Sequence, residues 1–304
     1  MSASAGRIDR AMEVPVDGGM LHVGVRDGGL DDTTVLLVHG VTSSHLAWPF
    51  VAERVPAVRL LAPDLRGRGR SNGLPGPAGL AAHARDLAAV LDDAGAPRAV
   101  VVGHSMGAFV AVVFAHLYPE RVRSLVLVDG GLPLNVPAEL DAAELVARIL
   151  GPTAERLSMR FASVADYLDF WRRHPAFARD WTAEVEDYLA YDLVDDGAGA
   201  LRPATGYQTV VEDTVDMNTG TILPEALAAL RHPTRLLTVP RGLQDETPGL
   251  YPAPYLAQVL PAYPAVRHAR IEGFNHYTIV MSAAGADVVA GTIAEALASG
   301  TTQA

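Results

Sequence analysis

The sequence predicts an α/β fold in which a mostly parallel sheet is covered by helices on both faces. Continuous aliphatic runs such as "TVLLVHG" (34–40) and "RAVVVG" (98–103) are typical of strands buried on both faces. Helical patterns alternate with these runs, as they do in strand–helix–strand units. The chain has 304 residues, of which 49% are hydrophobic, and this is enough for one large domain with or without an inserted subdomain.

The elements follow one another regularly through the first 131 residues. "MEVPV" and "MLHVGVR" predict two antiparallel strands around the turn at 17–19. Four aliphatic runs then predict buried strands at 34–40, 58–64, 98–103 and 122–131. A helix is predicted over 78–94, where Gly95 and Pro97 end the pattern, and the apolar stretch "MGAFVAVVFAHLYP" predicts a helix behind the strand at 98–103.

The alternation stops at residue 132. Residues 132–230 contain helical patterns such as "SVADYLDFWRRH" and "DWTAEVEDYLAYDL" but no comparable aliphatic strand. The pattern then resumes with strands at 234–240 and 266–273, a helix near 252–260 and a closing helix at 283–298. We therefore predict a core formed by 1–131 and 231–304, with an α-helical insertion at 132–230.

Charge and composition exclude several classes of partner. Lys and Arg together number 24 against 35 Asp and Glu, so the formal net charge of −11 disfavours nucleic acids and anionic membranes as partners. The absence of cysteine removes disulfides and thiolate metal sites. Because no stretch has the length of a membrane span and the first thirty residues lack a signal-peptide core, we expect a cytoplasmic protein.

One serine lies between two glycines where a predicted strand meets a predicted helix. Gly103, His104, Ser105, Met106 and Gly107 form the pattern G-x-S-x-G. Small flanking residues are needed there because a tight turn with an unfavourable backbone angle leaves no room for a β-carbon on either side. The start of the following helix also directs free amides at charge that develops near the serine. The context predicts that Ser105 is a nucleophile on a strained turn.

At this point the chain resembles the α/β-hydrolase superfamily, in particular its serine esterases and lactonases. The residues that carry the resemblance are "LLVHG", "PDLRGRGRS" (63–71), the G-H-S-M-G turn, "YPERVRSLVLVD" (118–129) and His276 in "GFNHY". The resemblance implies an eight-stranded, mostly parallel sheet and a cap formed by the helical insertion. It also implies an oxyanion hole made by the amides of Val41 and Met106.

A serine hydroxyl needs a base, and the base needs an acid that orients it. His276 follows the last predicted strand and matches the chain order Ser, acid, His of this fold, so we predict that it is the base. Asp245 follows the strand where most relatives carry the acid, although a Pro-Arg pair moves it later than usual. Asp129 ends the strand beside the nucleophile, as the acid does in zearalenone lactonases. We favour Asp129 and keep Asp245 as the alternative.

The predicted reaction is hydrolysis of a carboxylic ester or lactone of medium size and apolar, aromatic character. The resemblance makes a lactonase of the bacterial zearalenone type one specific hypothesis. Contacts to the substrate are assigned to five residues: His45, Trp171, Trp181, Tyr188 and Tyr277. No histidine or carboxylate pair has the spacing of metal ligands, so no metal or cofactor is expected. The sequence is compatible with a homo-oligomer and does not decide the oligomeric state.

Three other activities remain as alternatives. The first is hydrolysis of a carbon–carbon bond in a ring-cleavage diketone, although those relatives usually have tryptophan where this chain has Tyr277. The second is a cofactor-free perhydrolase. The third is a non-catalytic receptor for a small molecule, because this fold also serves in that way.

Overall fold

The computed structural model describes residues 7–29, 33–137 and 139–299. Its strands are β1 (Arg10–Val16), β2 (Gly19–Arg26), β3 (Thr34–Val38), β4 (Arg59–Pro63), β5 (Ala99–His104), β6 (Val122–Val128), β7 (Leu193–Asp195), β8 (Leu201–Pro203), β9 (Thr234–Thr238) and β10 (Val266–Arg270). Eight of them form one sheet in the order β1-β2-β4-β3-β5-β6-β9-β10. β2 pairs antiparallel with β1 and β4, and the remaining pairs are parallel. The predicted fold class is therefore confirmed.

Twelve α-helices occur in the described part of the chain. They are α1 (Pro49–Arg54), α2 (Leu80–Asp93), α3 (Met106–Leu117), α4 (Ala142–Leu150), α5 (Pro152–Arg156), α6 (Val164–Arg172), α7 (Ala183–Tyr191), α8 (Tyr207–Thr219), α9 (Ile222–Ala228), α10 (Ala253–Val259), α11 (Thr278–Met281) and α12 (Ala283–Ser299). α2 packs on α3 and α9, while α1 packs on α11 and α12. None of the helices described here combines the length and apolar character needed to cross a bilayer.

The core lies between the central strands and the helices that flank them. Every residue of β3 and β5 is buried, as the aliphatic runs predict, and α3 buries ten of its residues. Full burial of one Val or Leu side chain stabilises the fold by about 1.5–3 kcal/mol. The central strands and α3 are thus the rigid base on which the loops at the strand ends stand.

The predicted insertion is mainly helical, and its helices have ordinary start signals. Asp141 and Glu144 form a capping box at the start of α4, while Ser163 and Thr182 cap α6 and α7. The insertion also holds the hairpin β7–β8, whose three-residue strands are too short to produce an aliphatic run. Its last helix, α9, packs on α3 and α2 of the core. The division at 132 and 230 stays a prediction.

Candidate active site

Ser105 occupies a strained turn between β5 and α3. Its backbone has φ 54° and ψ −125°, a region that non-glycine residues rarely adopt. A β-carbon on Gly107 would overlap the carbonyl oxygen of Val38, and one on Gly103 would overlap the carbonyl of Gly107. Both glycines are therefore required by close packing of the helix start against the strands. The turn presents the serine side chain at the carboxyl edge of the sheet.

Asp129 and His276 form a buried pair beside this turn. The Nδ1 atom of His276 donates to Oδ2 of Asp129 at 2.7 Å, and the two side chains are 3% and 0% exposed. Asp129 has φ 45°, and its amide donates to the carbonyl of Leu237 at 2.7 Å. The backbone amide of Val239 lies 3.4 Å from Oδ1. This backbone geometry turns the Asp129 carboxylate away from the strand and toward His276.

Asp245 lies in the loop after β9 and has other partners. Its Oδ1 accepts a hydrogen bond from Nδ2 of Asn275 at 2.9 Å and forms an ion pair with Arg241. In the described part of the chain, no hydrogen bond joins its side chain to His276. Because Asn275 directly precedes His276, Asp245 supports the loop that carries the histidine without touching the imidazole.

Two further side chains hold the backbone around His276. The Oδ1 atom of Asn275 accepts hydrogen bonds from the amides of Tyr277 and Thr278 at 3.0 and 2.9 Å. The Nε2 atom of His104 donates to the carbonyl of His276 at 2.8 Å. Burial and the neighbouring His276 keep the pKa of His104 well below its ordinary value, so His104 is a neutral donor. The sequence placed His104 in the turn motif but contained no signal for Asn275.

The residues predicted to form the oxyanion hole are connected by a buried arginine. The Nε atom of Arg68 donates to the carbonyl of Val41 at 2.9 Å, and its Nη2 lies 3.7 Å from Sδ of Met106. The same guanidinium forms a buried ion pair with Asp213 of α8. Arg68 belongs to the loop "DLRGRGRS", part of the stretch at 63–71 that contributes to the family resemblance. One buried side chain of this loop thus contacts both Val41 and Met106.

His39 fixes the start of the Val41 loop. Its Nδ1 donates to the carbonyl of Gly40 at 2.8 Å, and its Nε2 accepts from the amide of Leu65 at 2.9 Å. The bond that Nε2 accepts requires the neutral ring. Burial lowers the pKa of His39 to about 4, which keeps the ring neutral at ordinary pH.

A small cavity of about 30 Å³ lies beside Ser105. Its lining residues come from the Val41 loop, the nucleophile turn, α7 and the His276 loop: Gly40, Val41, Thr42, Ser43, Ala47, His104, Ser105, Tyr188, Leu243, His276, Tyr277, Val280 and Met281. The hydroxyl of Tyr188 donates to Oγ of Ser43 at 3.1 Å, which ties α7 to the Val41 loop. The cavity thus brings together the predicted nucleophile, base and one predicted oxyanion residue.

The five predicted substrate contacts divide into two groups. Tyr188 and Tyr277 line the cavity, whereas His45, Trp171 and Trp181 are not among its lining residues. Trp171 packs edge-on against Tyr277, with ring centroids 6.4 Å apart. Trp181 donates its indole NH to Glu186 at 2.7 Å. The two tryptophans therefore belong to the aromatic packing around the site.

His45 joins a separate cluster with His22 and Asp64, which has metal-ligating chemistry. The Asp64 carboxylate already accepts from the backbone amides of His45 and Arg70 and from the Tyr191 hydroxyl, at 2.8, 2.8 and 2.7 Å. The Nδ1 atom of His45 donates to the same carboxylate at 2.9 Å. Because four donors occupy its acceptor positions, we interpret the cluster as a hydrogen-bonded structural group and assign no metal to it.

Comparison with known proteins identifies the family to which this fold belongs. Residues 33–200, which are 168 of the 304, match the family model described as the alpha/beta hydrolase fold. Lipase LipV of Mycobacterium tuberculosis is 37% identical over 149 residues, which are 48% of this chain and 56% of that protein.

A 2-hydroxy-6-oxononadienedioate/2-hydroxy-6-oxononatrienedioate hydrolase of Burkholderia vietnamiensis is 37% identical over 156 residues, covering 48% of this chain and 54% of its own. The chain thus spans about half the length of these curated relatives.

A solved structure extends the likeness to the whole fold. A thermophilic esterase from Thermogutta terrifontis superposes with a TM-score of 0.67 at 23% identity, covering 97% of this chain and 100% of its own. The matched family model includes the serine turn, Asp129 and the loop of Val41. The chain belongs to the alpha/beta hydrolase fold family.

Proposed function

We propose that this protein is a serine hydrolase that cleaves a carboxylic ester or lactone through an acyl-enzyme. The observation that carries the proposal is the buried His276–Asp129 pair beside the strained Ser105 turn, with Ser105 and His276 lining one cavity. A hydrogen bond from Nδ1 to the carboxylate sets the tautomer that leaves Nε2 free to accept the serine proton. The similarity to a lipase and an esterase supports an ester as the substrate class.

The proposed reaction has two halves. Ser105 Oγ attacks the carbonyl carbon while His276 takes its proton, and Asp129 stabilises the imidazolium that results. The amides of Val41 and Met106 stabilise the oxyanion, with each such donor worth about 10²–10³-fold in rate. His276 then protonates the leaving alkoxide and activates a water against the acyl-enzyme. In a lactone the leaving hydroxyl stays attached to the acyl chain, so one hydroxy acid is released.

The small cavity places a condition on this proposal. A volume of about 30 Å³ is far below the roughly 300–1,000 Å³ that is usual for small-molecule sites. An ester of medium size therefore enters only if residues of the insertion, Tyr188 first among them, move away from Ser43 and the rest of the Val41 loop. The insertion acts as a cap in this proposal, and the aromatic residues around it favour an apolar substrate.

Carbon–carbon bond hydrolysis is the second candidate, because the Burkholderia vietnamiensis relative carries that kind of substrate in its name. A panel of short esters, macrolactones and ring-cleavage diketones, read by mass spectrometry, separates the two. We expect turnover of esters or lactones that disappears in Ser105→Ala. Turnover of the diketones alone would overturn the ester assignment.

A further inference from the structure

A second and larger cavity lies at the opposite edge of the main sheet. It has a volume of about 550 Å³, and its walls include the amino ends of β6, β9 and β10 together with Arg98, which directly precedes β5. Ser105 and Asp129 follow the carboxyl ends of β5 and β6. A six-residue strand is about 20 Å long, so the two cavities are separated by roughly that distance.

This cavity, which we call the arginine cavity, concentrates positive charge in an acidic protein. Of the 24 cationic side chains, five line it: Arg98, Arg123, Arg231, Arg235 and Arg267. None of its fifteen lining residues is an aspartate or glutamate. Of these five arginines, only Arg235 has a carboxylate partner within the described part of the chain, Glu295 at 3.1 Å. Four guanidinium groups therefore face one cavity without a balancing carboxylate, in a chain whose net charge is −11.

Two polar atoms in the walls lack partners as well. Ser124 is 6% exposed, and its Oγ has no hydrogen-bond partner among the described residues. The Nε of Arg123 is likewise buried without an acceptor. Burial and, after it, the charge of Arg98 lower the pKa of Arg123. Buried polar atoms without partners are costly, and an anion that fills the cavity would remove that cost.

We propose that the arginine cavity binds a soluble small molecule carrying two or more phosphate groups. Guanidinium groups pair with phosphate through two parallel hydrogen bonds, which makes arginine the usual residue for this recognition. A phosphate group carries about −1.5 to −2 charge at neutral pH, so two phosphates balance four arginines. The volume lies within the usual range for small-molecule sites, and the acidic surface disfavours docking on an anionic membrane.

The test uses inorganic pyrophosphate as the probe and isothermal titration calorimetry at constant ionic strength. We expect wild-type protein to bind pyrophosphate more tightly than citrate, which has comparable charge without phosphate. The double variant Arg98→Gln/Arg123→Gln should weaken pyrophosphate binding at least ~10-fold, because it removes two charge-assisted donors. Arg173→Gln is the control, since it removes one exposed arginine that does not line the cavity.

Thermal unfolding of each variant by circular dichroism verifies the fold without reference to any hydrolytic activity. Absence of pyrophosphate binding to the wild type at low salt would overturn the proposal. The proposal would also be overturned if the folded double variant bound pyrophosphate as tightly as Arg173→Gln does. Equal affinity for citrate and pyrophosphate would overturn the assignment to phosphate.

Discussion

At the scale of single residues, the site depends on which carboxylate contacts the imidazole. Asp129 lies 2.7 Å from Nδ1 of His276, whereas Asp245 bonds Asn275 and Arg241. The sequence could not separate the two aspartates, because the answer depends on how two loops far apart in the chain approach each other. Both have positive φ, so local conformation does not distinguish them either.

The two aspartates should differ sharply when each is converted to asparagine. Asp129→Asn should lower kcat by about 10³–10⁴-fold, because the amide no longer favours the reactive imidazole tautomer. Asp245→Asn should lower kcat by less than about 10-fold, since Asp245 contacts only the loop that carries His276 and not the imidazole. Steady-state turnover of a p-nitrophenyl ester measures both. Equal losses in the two variants would show that Asp129 is not the acid.

At the scale of elements, close packing of α3 against the sheet sets the nucleophile turn. The sequence predicted this turn because G-x-S-x-G lies between an aliphatic run and an apolar helical stretch. The contact that requires Gly107 is with Val38 of β3, far away in the sequence. It assigned no partner to the "DLRGRGRS" loop, because Arg68 meets Asp213 only after the insertion has folded over the core. His45 was expected near the substrate because it follows the Val41 loop, but its imidazole hydrogen-bonds to Asp64 instead.

Gly107→Ala should destabilise the protein and reduce its activity. The added β-carbon would overlap the carbonyl of Val38, and such overpacking costs about 1–3 kcal/mol. Gly291→Ala on α12 is the control, because nothing lies within contact of its β-carbon and alanine favours the helix. Urea unfolding should show the first variant less stable and the second unchanged or more stable. An unaffected Gly107→Ala would contradict the packing described for the turn.

Asp213→Asn should be among the more damaging single changes in the insertion. It leaves the fully buried Arg68 without its carboxylate, and breaking a buried pair in this way costs about 3–5 kcal/mol. Asp187→Asn, an exposed change on α7, should lie within about 0.5 kcal/mol of the wild type. Denaturant midpoints compare the two. Similar midpoints would mean that the Arg68–Asp213 ion pair does not contribute to the stability of the fold.

At the scale of the whole molecule, the two edges of one sheet carry different chemistry. The sheet and most of its flanking helices could be predicted, because long aliphatic runs are typical of strands that are buried on both faces. The arginine cavity could not, since its residues come from four separate strand starts and from α12, and only the folded topology brings them together. The small volume beside Ser105 likewise depends on how α7 packs over the core.

Stability of the whole molecule should fall as the pH drops from about 6.5 to 4. His39 is neutral in the folded state, with its pKa lowered to about 4, while the unfolded chain takes up a proton near 6.5. The unfolded state therefore binds more protons in this interval, and His39 alone accounts for a loss of up to about 3 kcal/mol. Urea titrations across this range should show a flatter curve for His39→Gln. If stability depended on pH in the same way for the wild type and His39→Gln, His39 would not be the buried, neutral group described above.

The central claim is that Ser105 is an activated nucleophile, and covalent labelling tests it most directly. A fluorophosphonate should add one phosphonyl group per chain, and peptide mapping by mass spectrometry should place it on Ser105. His276→Ala should label far more slowly, and Ser105→Ala should not label at this peptide. If the folded wild-type protein stays unlabelled, or the label lies on another residue, the assignment of Ser105 as the nucleophile is wrong.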